Sequence, residues 1–255
     1  MCIVFDDLDE ITNQCLAPID RDESNRGRSW DRCYAFFQRY HRQDALGRRE
    51  MGELACLHLG FYLASWGMFR GSGALMHKDY TVYGPVIGIL HEARYALLWR
   101  RTLWRQLLKG GNPVQPDDVN IRLVLELKGR LEEFINGLML IKSHAADAEH
   151  AHATDTIVSK ILLGTMCCIP AYDTYFRQGL RIYGIRPYNL LSERSLTRLL
   201  NTCRERGLWG RLLEQPIGRY GVSYPIMRVV DLYFWTVGFN SRQRNAKKKA
   251  RAQGR

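Results

Sequence analysis

The stretch VSKILLGTMCCIPAYDTYF, residues 158–176, decides how the rest of the chain is read. Ile157, Lys160, Ile161 and Leu162 recur at helical spacing, Gly164 ends that period, Pro170 turns the chain, and a new helix is expected to open at 171–173. An Asp that follows a Pro at a helix start places its carboxylate at the positive end of the helix dipole. The segment therefore reads as two helices joined by a short apolar hairpin, with Lys160 and Asp173 flanking the hairpin. Two readings of that pair stand side by side. Asp173 caps its helix while Lys160 lies on a solvated face, or the two converge on a site.

Working outward, Tyr34, Phe37, Tyr40 and His41 fall at helical spacing, and RREMGELACLHLGFYLASWG (48–67) repeats through Leu54, Leu57 or His58, Phe61 and Ser65. Gly67, Gly71 and Gly73 break this pattern. Residues 82–90 and 92–109 read as further helical material, interrupted at Gly84-Pro85 and ended by Gly110-Gly111. Asp117 and Asp118 open the longest amphipathic helix, whose stripe is Leu127, Leu131, Phe134, Ile135, Leu138 and Ile141. A further helix starts at Ser192, a loop covers 216–224, and a last apolar helix runs from 225 to about 237. The expectation is an all-α bundle of eight to ten helices with a helix-hairpin-helix-like junction near 155–178. A single helical domain, 29–240, is flanked by an acidic N-terminal arm, 1–28, and a basic C-terminal tail, 241–255.

Charge narrows the partners. The last fourteen residues carry seven Lys and Arg and no acid, and removing those seven cations takes the net charge from +11 to +4. Such a tail supplies phosphate attraction without sequence preference, or simply solubilises, so directed binding falls to smaller basic surfaces on the fold. Arg94, Arg101, Arg105 and Lys109, at spacings of seven, four and four, are expected to share one helix face able to track a nucleic-acid backbone. The seven acids of residues 1–28 are expected to lie in a partly extended arm over the body.

The Lys–hairpin–Asp unit resembles the helix-hairpin-helix DNA glycosylases, the superfamily that includes the 8-oxoguanine glycosylases. The resemblance covers about thirty residues together with the helical architecture. It implies that Asp173 is the essential carboxylate and Lys160 the candidate amine, the latter a nucleophile only where strand cleavage accompanies excision. It implies DNA as partner, duplex or single-stranded, and a damaged or modified base, including those of viral DNA, flipped into a pocket. Cleaving an N-glycosidic bond builds oxocarbenium character on the sugar, which a fixed carboxylate stabilises while it orients water. Tyr172 and Phe176, close to the pair in sequence, are the expected substrate-binding aromatics, and Arg177 is an expected nucleic-acid contact. The alternative is a non-catalytic helical DNA- or RNA-binding protein in which the unit is a helix junction.

A second candidate is LASWGMFRGSG, residues 63–73, where Trp66 and Phe69 can stack on a base and Arg70 can hold a phosphate, or where all three simply pack a turn. Lys247, Lys248 and Lys249 offer further phosphate contacts. The cluster His144, Asp147, Glu149, His150, His152 and Asp155 matches no clean zinc spacing, so no metal and no cofactor are expected. Seven cysteines, with no CxxC pair, read as free thiols. The start MCIVFDDLDE lacks the basic region of a signal peptide, and no apolar run reaches the roughly 20 residues a bilayer needs, so a cytoplasmic monomer is expected.

Overall fold

The computed structural model describes residues 8–68, 78–105, 112–140, 154–207, 218–219 and 221–253. The protein is mostly helical, as the sequence predicts. The α-helices are α1 (Leu8–Arg21), α2 (Arg28–Tyr40), α3 (Ala45–Glu50), α4 (Gly52–Ser65), α5 (Gly84–Leu90), α6 (Val119–Leu140), α7 (Asp155–Thr165), α8 (Thr174–Ile182), α9 (Glu193–Glu205) and α10 (Ile226–Gln253), with 3-10 turns at Tyr80–Tyr83 and Ala93–Trp99. The loop expected at 216–224 contains a two-residue antiparallel ribbon, Gly218–Arg219 against Val222–Ser223. No described helix is long and apolar enough to cross a membrane.

Local chemistry fixes the helix starts. Asp44 caps α3 by accepting from the Gly47 N–H at 2.8 Å. Ser192 and Ser195 form a reciprocal capping box on α9, satisfying donors that have no partner within the helix. The stripe of α6 is buried at Leu127, Leu131 and Ile135, together with Ile121 and Val124 before it.

The centre of the molecule is α7, every residue of which is buried from Asp155 to Thr165, apart from the half-buried Thr156. Helices α2, α4 and α6 pack around it. Trp30 of α2 donates its indole N–H to the Leu163 carbonyl at 3.0 Å, and Trp104 donates to Cys168 at 2.7 Å. Those two bonds hold α7 and its following hairpin in place. Helix α8 then runs along α10, and α10 in turn carries α1.

Three expectations are corrected here. The N-terminal segment is no extended arm from Leu8 onward: Leu8, Thr12, Leu16 and Ile19, spaced by four, four and three, bury one face of α1, and α1 packs on α10. The basic tail continues the last helix without a break, since α10 runs 28 residues rather than stopping near 237. The basic stripe does not lie along one helix. The 3-10 turn ends at Arg100, whose backbone is extended, and Arg94 is tied to Glu92 and Glu126 at 2.6 and 2.7 Å.

Candidate active site

Lys160 and Asp173 meet. The two residues singled out in the sequence stand thirteen apart, and the hairpin brings the Lys160 ammonium to 3.0 Å from Asp173 Oδ2. Asp173 is the N-cap of α8, where its Oδ1 accepts from the N–H groups of Tyr175 and Phe176, both at 3.0 Å. One oxygen is thus committed to the helix and the other to the amine. Both residues are nearly closed to solvent, at 4% and 9% exposure, and the ammonium sits 5.0 Å from the centre of the Trp66 ring, a favourable cation–π placement.

A second ion pair faces the first. Arg228 and Asp231, three apart on α10, bond at 3.0 Å while both are buried. Asp231 Oδ1 also accepts from the Ala171 N–H at 2.9 Å, which ties α10 to the hairpin. The Arg228 guanidinium stacks 4.4 Å over Trp30. Four charges of alternating sign therefore sum to zero around a cavity of about 30 Å³, lined by Trp66 and Trp235 as well as the two pairs. That volume has room for two or three water molecules at most, since a water needs roughly 10–15 Å³ of such space.

Burial pushes the Asp231 carboxyl up to about 6, with Arg228 and Lys160 working against the shift and Asp173 adding to it. The folded protein consequently binds this proton more tightly than the unfolded chain, and Asp231 takes stability away as pH rises from about 4 to about 6. Urea midpoints measured across that window are expected to fall for this reason. Asp231→Asn, which has no proton to lose, removes the component, so the gap between wild type and variant must change with pH between 4 and 6. A constant gap would show that Asp231 titrates as it does in water. The neighbouring thiol, Cys15, is also pushed up by burial, which keeps it protonated and unsuited to nucleophilic work.

The other sequence candidates separate. Trp66 lines the cavity. Tyr172 and Phe176 do not: both are core residues, Tyr172 with its N–H bonded to Ser159 and its ring against Phe176, and Phe176 edge-on to Phe234. Arg177 leans toward Asp155 at 4.0 Å, away from the pair, and Asp155 itself is buried and bonded to Lys128 at 3.2 Å and the Leu191 N–H at 2.6 Å. Arg101 donates to the Ser223 carbonyl, and Arg105 is exposed. Phe69, Arg70, Lys109 and the 144–152 part of the His/Asp/Glu cluster lie outside the described residues, as do the side chains of Lys247, Lys248 and Lys249. Among the described residues no group of three or more His, Cys, Asp or Glu is placed to hold a metal ion.

Sequence reasoning missed Arg228, Asp231 and Trp235. The signal was present: an Arg and an Asp three apart inside the otherwise apolar run IMRVVDLYFW (226–235) can be buried only as a pair. Comparison of the chain with protein families, with curated proteins and with solved structures finds no match.

Proposed function

We propose that the protein is a DNA N-glycosylase whose reacting centre is the Lys160–Asp173 couple. The observation that carries this reading is the convergence itself. A lysine and an aspartate from successive helices of a helix-hairpin-helix junction share the wall of one aromatic-lined cavity in an otherwise apolar core. The cap bonds fix the Asp173 carboxylate before any substrate arrives, which is the preorganisation that stabilises a developing oxocarbenium ion. In hydrolysis the C1′–N bond breaks with its electron pair going to the base. A water oxygen bonds to C1′, and the water's proton leaves with the base. If Lys160 attacks instead, its Nζ first passes a proton to Asp173 Oδ2, the acceptor it already contacts, then bonds to C1′ as the C1′–N bond breaks, and the base leaves with the electron pair and that proton.

The reading requires the cavity to enlarge, because a ligand pocket occupies roughly 300–1,000 Å³ and this one measures about 30 Å³. Trp66, at the C-cap of α4, is the wall that must turn aside. A second reading is favoured by that same closed cavity and by the full occupancy of both Asp173 oxygens: a non-catalytic helical nucleic-acid-binding protein in which the couple locks the junction.

Incubation with duplex and single-stranded DNAs bearing different modified bases, followed by alkali, decides between them. Abasic product is expected from wild type and a loss of about 10²–10³-fold from Asp173→Asn, an exchange that preserves a good N-cap. Lys160→Ala then separates hydrolysis from the amine route. Wild type that binds these DNAs and releases no base, with both variants altering only stability, would hand the case to the second reading.

A further inference from the structure

A larger cleft lies between α3, the start of α4, and α5, on a different part of the surface from the ion pairs. Its volume is about 730 Å³, inside the roughly 300–1,000 Å³ range of small-molecule sites. Arg48, Arg49 and His91 all line it. The acid on its wall, Glu53, accepts a hydrogen bond from the Tyr80 hydroxyl; no described carboxylate pairs with either arginine, and Arg48 donates to the Gln43 carbonyl. The cleft is therefore positively charged and open to an anion.

The floor gives a second, independent observation. Gly84 and Gly88 line the cleft on α5, and a Cβ built at either would meet nothing within 4 Å. Neither has the positive φ that demands glycine. Gly84 opens α5, but Gly88 lies inside it, where glycine weakens a helix relative to alanine with no packing reason in the free protein. Space kept open at that cost suits a ligand.

His91 specifies what else the ligand presents. Its Nδ1 bonds to the Ile87 carbonyl at 2.9 Å, so Nδ1 carries the proton. Burial, with the nearby His41 and Arg48 charges, holds the ring down to about 4, so it is neutral at physiological pH. The remaining nitrogen, Nε2, is an acceptor that is buried without a hydrogen-bond partner. An unpaired acceptor on the residue that lines the cleft with two guanidinium groups calls for a molecule that combines an anion with hydroxyl donors.

We infer that this cleft binds a small phosphate monoester carrying hydroxyl groups, a sugar phosphate or a nucleoside monophosphate, with Arg48 and Arg49 on the phosphate and His91 accepting from a hydroxyl. The inference is independent of the glycosylase reading, since no residue is shared between the two sites.

Calorimetric titration of the full chain tests it, with ribose 5-phosphate and adenosine monophosphate as the two probes, and ribose, adenosine and sulfate as controls. Saturable binding of at least one phosphorylated probe is expected. It should weaken tenfold or more in Arg48→Gln/Arg49→Gln and again in Gly88→Met, whose side chain occupies the cleft floor, while Asp173→Asn binds as wild type does. Gly88→Met should melt at or above the wild-type temperature, and if it does not fold the arginine variant still decides. The idea fails if neither phosphorylated probe saturates, if sulfate binds as tightly as ribose 5-phosphate, or if both cleft variants retain wild-type affinity.

Discussion

Arg228→Met is expected to lower the folding stability by about 3–5 kcal/mol near neutral pH, the range for removing one partner of a buried ion pair. Methionine matches much of the arginine stem, so the loss is mainly electrostatic. Asp231, 5% exposed, keeps its Ala171 N–H bond but loses the cation that opposes the effect of burial, and Asp173 remains as a like charge nearby. The Asp231 carboxyl is then pushed above its wild-type position of about 6. The sign of the pH effect follows. A carboxyl whose folded affinity for protons is raised withdraws stability as pH rises through the gap between unfolded and folded values. Acidification from about pH 7.5 to about pH 5 should therefore recover a large part of the loss. Adding Asp231→Asn should recover it at all pH values, leaving the double variant more stable than Arg228→Met at pH 7.5. Urea unfolding of wild type, Arg228→Met and the double variant at the two pH values completes the cycle. A loss independent of pH, not relieved by Asp231→Asn, would assign the role of Arg228 to its stacking on Trp30 instead.

That cycle also shows why the sequence exposes one ion pair and conceals the other. Lys160 and Asp173 flank a Gly-to-Pro hairpin, so both the turn and the cap can be read from residue types, and α7, α8 and the Ser192 cap of α9 fall within a residue or two of where spacing puts them. Arg228 and Asp231 sit inside a helix packed on segments distant in sequence, Asp231 bonding to Ala171 and Phe234 lying against Gly179, and periodicity carries no information about such partners. The same limit explains α4. Residues 52–65 are apolar on every side, so the repeat Leu54, Leu57, Phe61 looks like a core stripe. The structure instead leaves these three at 45%, 42% and 69% exposure and buries Ala55, Cys56, Leu59, Tyr62 and Leu63. A period identifies a helix, but only contrast between faces identifies the buried one. The acidic start misled for the opposite reason. Asp9, Glu10 and Asp20 lie on the solvent face of α1, and their number outweighed the four spaced residues that bury it.

Gly238→Ala and Gly179→Ala are expected to be the most damaging small substitutions between α8 and α10, each costing roughly 3 kcal/mol, the upper part of the usual overpacking range. A Cβ at Gly238 would lie 1.9 Å from the Tyr175 carbonyl oxygen, and one at Gly179 would lie 2.1 Å from the Phe234 carbonyl oxygen. These are backbone atoms, so no rotamer change relieves the clash and the two helices must move apart by more than an ångström. Since one displacement relieves both contacts, the double variant should cost clearly less than the sum of the singles. The site feels the same displacement. Asp173 caps α8 from the position just before its first residue, while Lys160 is fixed in the buried α7 and Asp231 in α10, so separating α8 from α10 pulls Asp173 away from the charge cluster that balances it. Hydrogen exchange at the Tyr175 and Phe176 amides, which Asp173 Oδ1 accepts from, reports this directly. Exchange there should accelerate in both variants by more than the change in global stability accounts for. Protection that falls only in step with global unfolding would mean that the junction moves as a rigid unit. The close helix contact would then set the fold's stability without positioning the couple.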